Sequence, residues 1–130
     1  MTKRWRRRLL GLLLAVALLA GEYYALTCPL KFHSGLWQRH AGLRDRMLDD
    51  LLAERLSTGM NRDEVRALLG EPGDSQPLWY NDLEHSSVLR ETYYIRDNGV
   101  FFADFLVLYY AEQDGDYIYQ GHQQETVDVF

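Results

Sequence analysis

The sequence predicts an α+β domain of two layers, in which two helices pack on a three- to four-stranded antiparallel sheet, preceded by an apolar N-terminal helix. Three observations predict this fold class. An uninterrupted apolar run at residues 9–20 follows a basic N-terminus, helical periodicity appears between residues 43 and 70, and strand-like segments follow from residue 78. Helices followed by a run of strands favour separate helical and sheet layers.

The composition limits the class of protein. The chain has 130 residues, of which 47% are hydrophobic and 25% charged, which suits one globular domain and excludes a disordered chain. A single cysteine rules out an internal disulfide and a cysteine-rich zinc site. All 19 acidic residues lie from Glu22 onward. An acidic body without a basic stripe argues against nucleic acid as a partner.

Residues 1–28 are predicted to be a signal sequence or an N-terminal membrane anchor. Five basic residues precede the apolar run, as in an export signal. Twelve helical residues cover about 18 Å, but extending the run to Leu26 gives about 27 Å, close to the hydrocarbon core of about 30 Å. The basic cluster keeps the N-terminus in the cytoplasm, so the domain is expected in the periplasm, within the cell envelope.

Three fates of this segment stay open. An uncleaved anchor is ranked first, because the small residues at 15–17 lie inside the apolar run and Thr27 is a poor residue before a cleavage point. A cleaved signal is ranked second. Lipidation of Cys28 is ranked third, because the residues before it resemble a bacterial lipobox only poorly.

The regions around the domain are assigned by their lack of periodicity. Residues 29–41 show no clear period and are predicted to be a linker or an irregular packing segment. Residues 123–130 are predicted to be a polar, frayed tail, with an added edge strand of Val127, Val129 and Phe130 as the alternative. The domain is therefore placed at residues 42–122. Its first helix is predicted from an apolar stripe that runs from residue 43 to residue 56.

The second domain helix has the clearest boundaries in the chain. Asn61 is a favourable N-cap, and Glu64 three residues later matches a capping box. Met60 and Val65 have the spacing of a hydrophobic staple. Gly70 favours the left-handed conformation that ends a helix, and a proline follows two residues later.

Beyond this helix the pattern changes to strands. The candidate strands are residues 78–80, 91–96, 104–112 and 116–122. Asp114-Gly115, between the last two, is a typical hairpin turn. The strands are therefore expected to form an antiparallel sheet.

Residues 59–72 combine a Gly-Met turn, a short helix with Val and Leu on one face, and a Leu-Gly-Glu-Pro ending. This motif resembles the opening of the SmpA/OmlA domain, the BamE-like family of bacterial envelope proteins. Trp79-Tyr80, residues 105–110 and the Asp114-Gly115 turn resemble the first strand, central strand and final hairpin of that family. The resemblance covers residues 43–122 and implies a membrane-anchored paralogue with a non-enzymatic envelope role.

The sequence predicts no catalytic, metal or cofactor site. His33, His40, His85 and His122 lack the spacing of metal ligands. The serines at 86 and 87 are not in a nucleophile elbow, and the glycines form no phosphate-binding loop.

Both faces of the strand at residues 104–112 are apolar, whereas helices on one side can cover only one face. Tyrosine is enriched at protein interfaces, although it also favours sheets for packing reasons alone. The candidate residues for contact with a protein partner are Tyr93, Tyr94, Tyr109, Tyr110, Tyr117 and Tyr119. Which face lies open is not decided by the sequence.

Two functions follow from these features. The first is a non-catalytic, membrane-tethered envelope protein that binds a protein partner through an aromatic sheet face, in outer-membrane or envelope assembly or maintenance. The alternative is an inhibitor or immunity protein, because the predicted fold also resembles β-lactamase-inhibitor domains and an acidic body suits a basic target enzyme. A hydrolytic enzyme is ranked below both.

Overall fold

The computed structural model describes residues 2–77 and 88–129. The helices are α1 (Lys3–Thr27), α2 (Ser34–Arg39), α3 (Arg44–Asp50) and α4 (Arg62–Leu69), and the strands are β1 (Asp74–Pro77), β2 (Val88–Asp97), β3 (Phe102–Gln113) and β4 (Asp116–Asp128). The strands form one sheet in the order β1-β2-β3-β4, with every neighbouring pair antiparallel. This confirms the predicted α+β class and the apolar N-terminal helix.

Helix α4 forms as its local sequence predicts. The side chain of Asn61 accepts a hydrogen bond from the backbone N–H of Glu64 at 2.8 Å, which satisfies a donor of the first turn. Gly70 ends the helix with a φ of 79°. Val65 and Leu69 are buried, so the apolar stripe of this helix faces the core.

The first domain helix is not one continuous α-helix. A 3-10 turn (Ala41–Leu43) precedes α3, and a π-helical turn (Leu51–Arg55) follows it. The backbone N–H of Leu56 donates to the carbonyl of Leu51, five residues earlier, at 2.9 Å. In an α-helix two residues five apart lie about 140° from each other around the axis. The wider turn lets both Leu51 and Leu56 reach the core.

Residues 29–41 are not a linker but a segment that packs on the domain, which was the alternative interpretation. This stretch contains α2, and it places Phe32 and Trp37 in the core with their ring centroids 5.8 Å apart. The backbone N–H of Phe32 donates to the Asp50 carboxylate at 2.6 Å. Two isolated aromatic anchors leave no periodic pattern, which is why periodicity missed this segment.

The prediction of a frayed tail after residue 122 is also wrong, whereas the alternative of a strand agrees with the position of Val127. Strand β4 continues to Asp128 and pairs with β3 along its whole length, from Gln113↔Asp116 to Phe102↔Asp128. The first strand, β1, is likewise polar and exposed, and lies just before the predicted strand at residues 78–80, which is outside the described residues. Both segments are held by backbone pairing to an inner strand, which composition does not reveal.

The outer edge of β4 is partly occupied by the chain itself. Asn61 forms an antiparallel bridge with Ile118. The backbone N–H of Gly59 donates to the carbonyl of Tyr119, and the N–H of Tyr119 donates to the carbonyl of Met60. The segment before α4 therefore runs along the start of the last strand, and we call it the edge strap (residues 59–61).

The core lies between the helices and one face of the sheet. That inner face contributes the buried side chains Leu89, Glu91, Tyr93, Ile95, Leu106, Leu108, Tyr110 and Tyr119. The apolar ones pack with Met47, Leu48, Leu51, Val65 and Leu69 from the helical layer. Among the described residues, the apolar core takes no side chain from the opposite face of β2 and β3, which we call the outer face. Two layers and one core follow from this arrangement.

Candidate interaction site

Helix α1 is long and apolar enough to cross a membrane. Within Lys3–Ala25, the most apolar stretch of 18 residues has a mean hydropathy of 1.5. None of that stretch is buried in the protein. At 1.5 Å per residue these 23 residues extend about 35 Å, more than a hydrocarbon core of about 30 Å. The helix therefore has the length and composition of either a signal sequence or a membrane anchor.

The C-terminal end of α1 is fastened to α3 by Arg46. The guanidinium donates to the carbonyl of Cys28 at 3.0 Å and to the carbonyl of Ala25 at 2.8 Å. It also lies 3.1 Å from the Cys28 sulfur. The last turn of α1 has no basic residue of its own, so Arg46 supplies the positive charge that favours a helix C-terminus.

The chain that leaves α1 continues against α3. The backbone N–H of Leu30 donates to the carbonyl of Arg46 at 2.8 Å. Cys28 is half-buried, and its own N–H closes the last turn of α1 on the carbonyl of Tyr24. The helix therefore ends directly on the domain. Lipidation of Cys28 stays a prediction.

The six candidate tyrosines do not share one surface. Tyr93, Tyr110 and Tyr119 are 1%, 0% and 3% exposed in the core, so their interpretation as partner-binding residues is wrong. Successive side chains of a strand point to opposite faces of the sheet, and these three point to the face that the helices cover. Tyr117 is half-buried at the border of that face, with the Arg62 guanidinium 5.7 Å from its ring centroid.

The remaining two tyrosines lie on the outer face. Tyr94 packs edge-on against Phe105, with centroids 6.0 Å apart, and its hydroxyl donates to the Asp97 carboxylate at 2.9 Å. Burial and this hydrogen bond raise the pKa of Tyr94, so its hydroxyl stays protonated. The Tyr109 hydroxyl donates to the side-chain oxygen of Gln123 at 3.2 Å. Each ring thus combines apolar area with a hydroxyl near the surface.

An ion pair crosses the outer face between Arg90 of β2 and Glu125 of β4. In the strand register Arg90 lies opposite Tyr109 and Glu125 lies opposite Phe105, so the pair passes over Val107. Beside it lies a depression of about 240 Å³, lined by Asp74, Arg90, Thr92, Phe105, Glu125 and Val127. The outer face therefore mixes aromatic rings, hydroxyls and both signs of charge.

The inner face has a different charged group, which sequence reasoning missed. Glu91 is fully buried, and its carboxylate accepts hydrogen bonds from Arg62 at 3.0 Å and Arg66 at 2.7 Å. Burial raises the pKa of Glu91, but the hydrogen bonds and charges of the two arginines lower it by more, so the net pKa lies below its usual range. The available sequence signal was a pair of arginines four residues apart on α4.

Glu91 has a structural explanation. Both arginines project from α4, so the carboxylate ties this helix to β2. The Tyr93 hydroxyl adds a second tie, because it donates to the carbonyl of Gly70 at 2.9 Å. A carboxylate held by two arginines is charged at neutral pH and engaged in positioning the helix.

The histidines occupy separate places. His33 caps α2 by accepting a hydrogen bond from the N–H of Leu36, and His122 shares a hydrogen bond with the Tyr119 hydroxyl at 3.1 Å. His40 is exposed after α2, and His85 with the neighbouring serines lies outside the described residues. Within residues 2–77 and 88–129, no three His, Cys, Asp or Glu side chains lie close enough together to hold a metal ion.

Comparison with known proteins finds no matching family model, no matching curated protein and no matching solved structure. The resemblance of residues 59–72 to the SmpA/OmlA domain therefore stays a prediction.

Proposed function

We propose that this protein is a bacterial envelope protein that α1 holds in a membrane and that binds a protein partner through the outer face of its sheet, without catalysing a reaction itself. The observation that carries the proposal is the division of the sheet. One face is filled by the core, while the other presents Tyr94, Phe105 and Tyr109 beside a partly exposed ion pair.

Anchoring is supported by the exposure and the charge pattern of α1. Leu10, Leu14 and Leu18 are each more than half exposed, so the helix has no apolar cover within the domain. Basic residues precede the apolar stretch, which favours a cytoplasmic N-terminus and so supports a domain on the opposite side of the membrane.

Protease treatment of spheroplasts tests this anchoring. We expect added protease to digest the domain, and the undigested protein to stay in the membrane pellet after a high-salt wash, because α1 is held by apolar burial rather than by charge. Sequencing of the mature N-terminus is the decisive control. A mature chain that begins near Thr27 or Cys28 would contradict the uncleaved anchor.

Partner binding is supported by the chemistry of the outer face. Interface hot spots are enriched in tyrosine and arginine, and the surrounding rim is polar. Arg90 and Glu125 are 27% and 30% exposed at their side chains, so each is open to water on one side. Tyr109 supplies a large ring beside them. This combination favours a protein surface over an apolar small molecule.

Affinity capture from detergent-solubilised envelope tests the binding face. The full-length protein is compared with Tyr109→Ser on the outer face and with Glu54→Ser, an exposed position in the helical layer. We expect Tyr109→Ser to lose a co-purifying protein that both the wild type and Glu54→Ser retain.

Two outcomes of this capture would redirect the proposal. Equal recovery by all three proteins would exclude the outer face as the contact. Recovery of one soluble enzyme at near-stoichiometric ratio, inhibited in the complex, would favour the inhibitor or immunity function instead.

A further inference from the structure

A group of exposed apolar side chains lies at the end of the sheet where β2 turns into β3. We call this group, Val100, Phe101, Phe102, Val127 and Val129, the apolar tip. Val100 is 78% exposed, Phe101 58% and Phe102 46%. The end of β4 lies beside the turn, because Val127 pairs with Ala103 and the N–H of Val129 donates to the carbonyl of Phe101. Several large apolar side chains exposed at one end of a sheet suggest a site of interaction.

The requirements of the turn do not explain these residues. The turn needs a positive φ only at Gly99, which adopts 80°. The other hairpin, between β3 and β4, turns on Asp114 and Gly115 with φ values of 51° and 87°, and its flanking residues are polar. Turns are normally built from such small and polar residues. One end of the sheet is therefore polar, and the other is apolar.

The apolar tip lies at the same end of the domain as the end of α1. Arg44 donates to the carbonyl of Tyr94 at 3.1 Å, three residues before β2 ends. Two residues later in the same turn of α3, Arg46 holds the carbonyls of Ala25 and Cys28. The polar hairpin belongs to the opposite end, where β4 begins beside the edge strap.

We propose that the apolar tip inserts into the surface of the membrane that α1 spans and forms a second contact between the domain and the lipid. The inference rests on the anchoring proposed above, since it is α1 that brings this end of the domain to the bilayer. Phenylalanine buries favourably at the boundary of headgroups and acyl chains, and the valines add apolar area beside it. The tip contains no basic side chain, so the contact depends on apolar burial and not on anionic lipid.

The test uses the full chain reconstituted in vesicles of phosphatidylcholine. A nitroxide spin label is attached at Val100→Cys in a Cys28→Ser background, in which a serine hydroxyl can still accept from Arg46. The matched control carries the label at Asp114→Cys, in the polar hairpin. Collision rates are measured with oxygen, which concentrates in lipid, and with a water-soluble nickel complex.

We expect a severalfold higher ratio of oxygen to nickel collisions at position 100 than at position 114, unchanged by salt. Equal, water-like ratios at both positions would overturn the insertion while leaving the anchor intact. Shielding of position 100 from both reagents would overturn it in favour of a protein contact.

Alkaline carbonate extraction of the same vesicles separates this inference from the anchor. Retention of the protein shows that α1 is inserted, so that the collision ratios report on the tip alone. Release of the protein by carbonate would overturn the anchor and the tip insertion together.

Discussion

Two neighbouring residues of β2, Arg90 and Glu91, point to opposite faces of the sheet, and each forms an ion pair. Glu91 is fully buried and is held by two arginines of α4. Among the described residues, Arg90 pairs with Glu125 on the outer face, where both side chains remain partly exposed. The same chemistry is therefore used in two ways. The pair at the buried Glu91 fixes a helix, whereas the pair on the outer face links two strands at a partly exposed position.

The difference is energetic as well as geometric. A buried carboxylate has lost its water, so removal of one member of such a pair leaves uncompensated charge in the core. An exposed pair is solvated and screened by salt, and contributes little to stability. A surface for binding can therefore carry Arg90 and Glu125 at little cost to the fold. The following predictions test this contrast between the inner and outer faces.

The largest difference in the free energy of unfolding is expected between alanine substitutions of Leu108 and Tyr109, which point to opposite faces of β3. Leu108→Ala should lower the free energy of unfolding by about 4 kcal/mol, because it opens a cavity in a fully packed core. Tyr109→Ala should cost about 1 kcal/mol or less, since its ring lies at the surface. Urea unfolding of the full-length protein in detergent micelles, followed by tryptophan fluorescence, measures both values. Equal losses would mean that the outer face is as tightly packed as the core.

The second largest difference in the free energy of unfolding is expected between variants that break one or the other ion pair. Glu91→Ala should lower the free energy of unfolding by about 3 kcal/mol, because it removes the fully buried carboxylate that ties Arg62 and Arg66 of α4 to β2. Glu125→Ala, the matched control on the outer face, should cost less than about 1 kcal/mol. The same urea titration gives both numbers. A cost for Glu125→Ala as large as that for Glu91→Ala would contradict the assignment of the outer pair to binding.

The smallest expected effect is a dependence on pH. The folded-state pKa of Glu91 lies below its unfolded value, so its contribution is fully present above that unfolded value and is lost as the pH falls through the folded pKa. The stability of the wild type should therefore decline below the ordinary carboxyl value of 4.5.

Glu91→Gln is the control for this dependence. Its unfolding free energy should vary less with pH in the acid range than that of the wild type. Some acid sensitivity should remain, because hydrogen bonds from Thr126, Asn98 and Arg96 also lower the pKa of Asp104. Parallel pH curves for the two proteins would show that Glu91 contributes nothing to the acid sensitivity.

Elements with local signals were predictable from the sequence. Helix α4 has its cap at Asn61 and its stop at Gly70 within ten residues of each other, and the Asp114-Gly115 turn defines the last hairpin. Features that depend on distant partners were not predictable. The two aromatic anchors before α3 leave no periodic trace, and β1 and residues 123–126 of β4 are polar segments that form strands through pairing with inner strands.

The candidate site was predictable only in part. The sequence indicated that both faces of β3 are apolar, but the covered face is set by the register of the helices on the sheet. Three of the six candidate tyrosines therefore lie in the core. The partners of Glu91 depend on the same register, because residues 62 and 66 must lie above residue 91. The apolar tip required the pairing of Val127 with Ala103, which brings two distant segments together.

The edge strap has a consequence for self-association. A long terminal strand offers its unpaired amides as a template on which a foreign chain can add, and this is the usual route from soluble sheets to fibrils. Along Ile118 and Tyr119 those positions are already taken by residues 59–61 of the same molecule. An incoming strand therefore cannot pair with the start of β4 unless it first displaces the edge strap.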